Sequence, residues 1–302
     1  MASPLHQGSK PETEYRAMAR LAPKDRVNPT TAHLPGPESN WMFWPAARLR
    51  ADSAWTGHIP FAHWIVSALR PKVLVELGTH SGASYSAFCE AVIRSESPTT
   101  CYAVDTWRGD EHTGKYAEDI YRDLSAFNLV RYGSFSTLLR KTFDAALGDI
   151  TDGTVDLLHI DGLHTYEAVK HDFDTWLPKL SNSAVVLFHD TQERRADFGV
   201  WRFWAELRQS RAGFEFTHSH GLGVLKVGRN VPKPISDFLA LSDVAQVQNL
   251  QRRFEYLGAR LQIEANSLMM QAEGRRLVET VNRLEAENRR LTTALAARQT
   301  QS

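Results

Sequence analysis

The chain has 302 residues, with 35 basic and 35 acidic side chains and therefore no formal net charge. That balance argues against a surface built mainly for nucleic acid or anionic membrane, and two cysteines are too few for a disulfide framework or a cysteine-based zinc site. No apolar run reaches membrane-spanning length and the first residues lack the apolar core of a signal peptide, so the expected location is the cytoplasm.

Residues 1–50 are rich in Pro, Ser, Arg and Lys without sustained periodicity, and read as a loosely ordered lead-in. Their one apolar knot, from Trp41 to Trp44, is expected to dock on the domain that follows. Residues 51–230 alternate strand and helix patterns. A short helix at 61–69 precedes a strand at 73–77 and a helix at 84–93. A second strand at 101–104 ends at Asp105, and a polar stretch with aromatics runs from Trp107 to Asp123. A short strand is expected at 129–131, leading into Tyr132-Gly-Ser-Phe-Ser136 and a helix at 137–146. Then come a strand at 155–160, a helix at 166–177, a strand at 184–188 and a helix at 200–208. Two strands at 214–217 and 223–227, with no helix between them, close the domain as a hairpin.

This alternation predicts an α/β, doubly wound, Rossmann-like sheet of seven strands, mostly parallel with an antiparallel edge hairpin. Open sheets of this kind bind ligands at the C-terminal ends of their strands. In this chain those ends carry Glu76 with Gly78, then Asp105, Asp161 and Asp190. The turn Glu76-Leu-Gly-Thr-His-Ser-Gly82 differs in spacing from the G-x-G-x-x-G dinucleotide fingerprint, but its glycines let backbone pass close to a ligand at a helix start. Asp105 is placed to accept hydrogen bonds from a ribose diol, and Asp161 and Asp190 to converge on a divalent cation. His164, three residues past Asp161, can take a proton from a hydroxyl, while His159 lies within a strand and reads as a core histidine.

The segments Ile160-Asp-Gly-Leu-His-Thr-Tyr166 and Phe188-His-Asp-Thr191, with Val75-Glu-Leu-Gly-Thr-His-Ser-Gly82 and the strand end Ala103-Val-Asp-Thr-Trp107, resemble class I S-adenosylmethionine-dependent methyltransferases. More narrowly, they resemble the branch that includes the metal-dependent sugar O-methyltransferases of macrolide and related biosynthesis, over residues 55–228. The resemblance implies methyl transfer to a hydroxyl of a sugar, glycan or other small molecule. Glu76, Gly78 and Gly82 would line the methionine and ribose part of the cofactor, Asp105 would bind the ribose, and Gly133 and Ser134 would lie near the adenine. Asp161 and Asp190 would hold Mg²⁺ or Mn²⁺, with His189 standing where relatives carry a second acidic residue, and His164 would be the general base. The other reading is a non-catalytic, methyltransferase-like scaffold that recruits partners through its tail.

That tail, residues 235–302, contains no strand pattern. Leu277, Val281, Leu284, Asn288, Leu291 and Leu295 alternate steps of four and three, a coiled-coil seam with a polar residue at one core position. The pattern predicts a homodimer through residues 277–295, the alternative being a helix folded back on the preceding domain. Upstream, Leu250, Phe254, Leu257, Leu261 and Leu268 follow a similar spacing that Ser267, Gly274 and Arg275 interrupt.

Overall fold

The computed structural model describes residues 40–110, 114–115, 117–195 and 197–299, so the expected lead-in falls largely outside the described residues. Residues 33–302 form one compact unit. Its centre is a sheet of seven strands in the order β5-β2-β1-β6-β7-β9-β8. These are β1 (Val73–Leu77), β2 (Thr100–Asp105), β5 (Ser136–Arg140), β6 (Val155–Ile160), β7 (Leu180–His189), β8 (Gly213–Phe216) and β9 (Leu222–Lys226). The first five pair in parallel, and β9 runs antiparallel to both β7 and β8. A separate two-stranded ribbon, β3 (Gly109–Asp110) and β4 (Gly114–Lys115), lies beyond β2.

The central strands form because their side chains are apolar on both faces. All six residues of β6 and the last six of β7 are buried, the pattern of a parallel strand covered by helices on either side. Those helices are α1 (Ile59–Leu69), α2 (Ala83–Arg94), α3 (Glu118–Tyr132), the single turn α4 (Phe143–Ala146), α5 (Tyr166–Trp176) and α6 (Val200–Arg208). On α5, Val169, Phe173 and Trp176 pack with Phe188 of β7 and Phe203 and Trp204 of α6. Thr165 caps α5 by accepting a hydrogen bond from Ala168 N, which fixes the loop that carries Asp161 and His164.

The stretch from 118 to 146 departs from the sequence expectation. Leu129–Arg131 belongs to helix α3, not to a strand, and Leu129 and Val130 point outward at 74% and 89% exposure. What the helix buries instead are Leu124, Asn128 and Tyr132, spaced by four residues. The strand begins four residues later, pairing Ser136 with Cys101 and Arg140 with Asp105. Only the last four residues of the expected helix, Phe143–Ala146, are helical.

After α7 (Lys233–Leu239), a single helix α8 runs from Val244 to Gln299. Its two halves differ in kind. Leu250, Phe254, Leu261 and Ala265 are buried against the domain, and Phe254 stacks on Trp41 with ring centroids 5.5 Å apart. The Trp41–Trp44 knot therefore docks as expected, partly on this helix. From Leu268 onward the apolar residues Met270, Leu277, Val281, Leu284 and Leu291 are at least half exposed. Among the described residues no helix is long and apolar enough to cross a membrane.

Candidate functional site

The β1–α2 turn forms the floor of a cleft of about 490 Å³ at the C-terminal edge of the sheet. Gly78 has φ +87°, and a Cβ there would lie 2.1 Å from the carbonyl oxygen of Asp161, so only glycine lets this turn pass the β6–α5 loop. Asp105 organises the turn from the end of β2. Its Oδ2 accepts hydrogen bonds from the backbone N–H of Thr79 (3.0 Å) and His80 (2.8 Å), and its Oδ1 from Trp107 N (2.6 Å). The Thr79 hydroxyl in the same turn is buried and makes no hydrogen bond within the protein. A polar ligand group at that point would satisfy it, which fits an adenosine-containing cofactor bound over the turn.

The far end of the cleft gathers charge. Asp161 at the end of β6, His164 in the following loop and Asp190 after β7 bring one ligand atom each within 4.8 Å of one another. His164 Nε2 lies 2.9 Å from Asp190 Oδ2 and 3.7 Å from Asp161 Oδ1. Burial works against its proton, but the two carboxylates hold the His164 imidazole up at about 9. Asp161 is likewise held well below the carboxylate range: burial opposes this, and His189 and His164 overcome it. Asp190 is depressed for the same reasons, while its Oδ1 is buried without a hydrogen bond. Two carboxylates with an unfilled buried lone pair and an imidazole form a donor set that fits a divalent cation.

His189 stands beside this group. Its Nε2 faces Ser219 O at 3.2 Å, and its Nδ1 faces Asp161 Oδ1 at 3.3 Å and Asp190 Oδ1 at 3.4 Å. Burial disfavours its charge, yet the Asp161 and Asp190 carboxylates raise its pKa well above the ordinary value. The ring of Phe198 stacks flat on His164, with centroids 4.7 Å apart and planes 2° from parallel.

Of the residues singled out in the sequence, Gly78, Asp105, Asp161, His164, His189 and Asp190 line this one cleft. Gly82 lies at the start of α2 with φ +78°. Glu76 is fully buried beneath the floor, where its Oε2 meets His159 Nδ1 at 2.9 Å. Gly133 and Ser134 lie between α3 and the N-terminal end of β5, at the opposite edge of the sheet from the cleft. Thr142 and Phe143, just past the C-terminal end of β5, line the cleft. Trp107 is buried and donates its indole N–H to His80 O, so it packs the turn and does not wall the cleft.

Sequence reasoning missed Asp52, Trp55 and His220, all of which line the cleft. His220 sits in a run of three left-handed residues, Ser219 (φ +50°), His220 (φ +67°) and Gly221 (φ +89°). That strained turn is held against the Asp190 loop by hydrogen bonds from Asp190 N to Gly221 O and from Gln192 N to His220 O. The run His218-Ser-His-Gly221 between two strands was the one available signal.

Residues 75–191 match the model of a family described as a methyltransferase domain. This domain resembles the class I S-adenosylmethionine-dependent methyltransferases. Over 184 residues the chain is 54% identical to an uncharacterized protein, y4gI, of Sinorhizobium fredii, a match covering 61% of this chain and 20% of that protein. The chain thus spans about a fifth of that relative's length. Among solved structures, the O-methyltransferase TomG of Streptomyces achromogenes, involved in tomaymycin synthesis and solved with S-adenosylmethionine, is 14% identical (TM-score 0.42; 58% of this chain, 87% of that one). A Podospora anserina methyltransferase bound to S-adenosylhomocysteine is 15% identical (TM-score 0.44; 75% and 99%).

Proposed function

We propose that this methyltransferase-type domain transfers the methyl group of S-adenosylmethionine to a hydroxyl of a sugar or other small-molecule acceptor. The observation that carries the reading is the meeting, in one cleft, of the Asp105-tied glycine turn with the Asp161, His164 and Asp190 cluster. The turn and Asp105 would hold the adenosine end, with Thr142 and Phe143 beside the adenine. His164 would take the acceptor's hydroxyl proton at Nε2, and Phe198 holds the ring in place for it.

Asp161 and Asp190, with His189 beside them, would hold a Mg²⁺ or Mn²⁺ ion. Such an ion acidifies a bound hydroxyl and offsets the negative charge that otherwise keeps the proton on His164. The protein's larger contribution is positioning: sulfonium, acceptor oxygen and base must lie in line for the displacement. The exposed seam at 277–295 would pair two copies of the chain.

The test is calorimetric titration with S-adenosylmethionine, with and without Mg²⁺ or Mn²⁺. Binding by the folded protein is expected. Its absence would overturn the methyltransferase reading and leave a scaffold role.

A further inference from the structure

Asp52–Trp55 and the Gly78–Ser81 turn line the same cleft, and helix α8 packs against the turn that contains this wall. Gln262 Nε2 on α8 donates to the carbonyl oxygen of Ala51 at 2.9 Å. Gly258 of the same helix crosses the 3-10 turn Ala54–His58 so closely that a Cβ at 258 would sit 2.0 Å from Gly57 O. From below, the Trp55 indole N–H, which can only donate, points at His159 Nε2 at 3.2 Å. The remaining proton of His159 is therefore on Nδ1, directed at Glu76 Oε2. Backbone, helix and a buried relay together leave this wall little freedom.

The wall carries one charge that turns outward. Arg50 grips Asp52 through two hydrogen bonds, Nε to Oδ1 at 3.0 Å and Nη2 to Oδ2 at 2.8 Å. The Asp52 side chain remains 65% exposed, so its carboxylate keeps lone pairs for a second partner. If the ribose is held at Asp105 and the methyl group lies toward His164, the amino-acid end of the cofactor would lie between the glycine turn and this wall. That end carries an ammonium group, whose three donors suit a carboxylate pre-oriented by an arginine.

We propose that Asp52 binds the ammonium of the cofactor's amino-acid end, and that α8 positions it there through Gln262 and Gly258. This rests on the cofactor reading above. It makes the first half of the long helix part of the binding site, with Gln262 as a positioning residue that touches no ligand.

Two probes separate the possibilities in titrations of the full chain: S-adenosylhomocysteine, which has the amino-acid end, and methylthioadenosine, which lacks it. Asp52→Asn is expected to weaken S-adenosylhomocysteine about fivefold or more and to leave methylthioadenosine within about twofold. Gln262→Ala should do the same more mildly, while Gln271→Ala, exposed further along the helix, changes neither. Asp52→Asn with unchanged S-adenosylhomocysteine binding, or with both probes weakened equally, overturns the Asp52 assignment. An unaltered Gln262→Ala overturns the role of α8. Wild type that binds methylthioadenosine as tightly as S-adenosylhomocysteine defeats this proposal alone, whereas wild type that binds neither defeats the cofactor reading and this proposal with it.

Discussion

The carboxylate of Glu76 and the imidazole of His159 meet at 2.9 Å with both side chains sealed from solvent, one strand apart in the sheet. A glutamate just before a glycine-rich turn is a natural candidate for a ligand contact; its Oε2 meets His159, while its Oε1 is buried without a hydrogen-bond partner within the protein. Glu76→Gln keeps an acceptor for His159 but removes the charge that strengthens the bond. It is expected to cost about 1–2 kcal/mol in urea unfolding. The same variant should hold S-adenosylhomocysteine within about threefold of wild type. Unchanged stability combined with lost binding would instead place Glu76 against the ligand.

Asp105 and Asp161 should divide the two ligands between them. Asp105 holds the backbone of Thr79 and His80 and also lines the cleft, so Asp105→Ala removes both the proposed ribose acceptor and the shape of the turn. Titration should then give no measurable S-adenosylmethionine heat. Asp161→Asn keeps the cofactor and is expected to lose the heat of Mn²⁺ binding. If Asp161→Asn binds Mn²⁺ as wild type does, the cluster at the end of β6 and β7 is not a metal site, and His164 would pair with carboxylates alone.

How much of this was legible depends on how local each signal is. Central strands such as Val155–Ile160 are buried on both faces, so short, mostly apolar runs followed by Asp announced them. Asp105, Asp161 and Asp190 followed from strand ends, and His164 from its place three residues past Asp161. The segment 118–140 misled because Leu129 and Val130 look like strand residues, whereas the packing of α3 depends on Asn128. That buried amide accepts from Ser136 Oγ, a partner eight residues on that spacing does not reveal. Asp52 and His220 are cleft residues only because α8 pins the Ala51 backbone and because β9 returns antiparallel beside β7. Neither fact has a local signature.

Asp172 on α5 gives a pH-dependent stability. Burial, with a smaller contribution from Asp144 and against the pull of His171, raises its carboxyl to about 7. In the unfolded chain an aspartate releases its proton near the ordinary carboxylate value. Folding therefore takes up a proton between those two points, and stability falls as pH rises from about 4 to about 7. Asp172→Asn removes that loss. Thermal melts should find the variant little different from wild type at pH 4 and increasingly more stable up to pH 7, with a constant gain above it. A gain of the same size at every pH would trace to packing and not to the buried charge.

The projecting half of α8 has a geometry that favours one kind of partner. Leu277, Val281, Leu284 and Leu291 lie 57%, 51%, 55% and 59% exposed along one seam, and Asn288 occupies a core position among them. A parallel, in-register pairing sets Asn288 against its own copy, where the two amides hydrogen-bond, while an antiparallel pairing sets it against leucine and leaves a buried amide unsatisfied. Parallel pairing also brings Glu287 near the partner's Thr292 and not near another acidic residue. Sedimentation equilibrium of the full chain should therefore give a dimer, and Leu284→Lys a monomer that still binds S-adenosylhomocysteine. Because Cys89 and Cys101 are both buried, Asn288→Cys should form a disulfide-linked dimer on mild oxidation only in the parallel register. A wild-type monomer at micromolar concentration would leave the seam without a second copy as its partner.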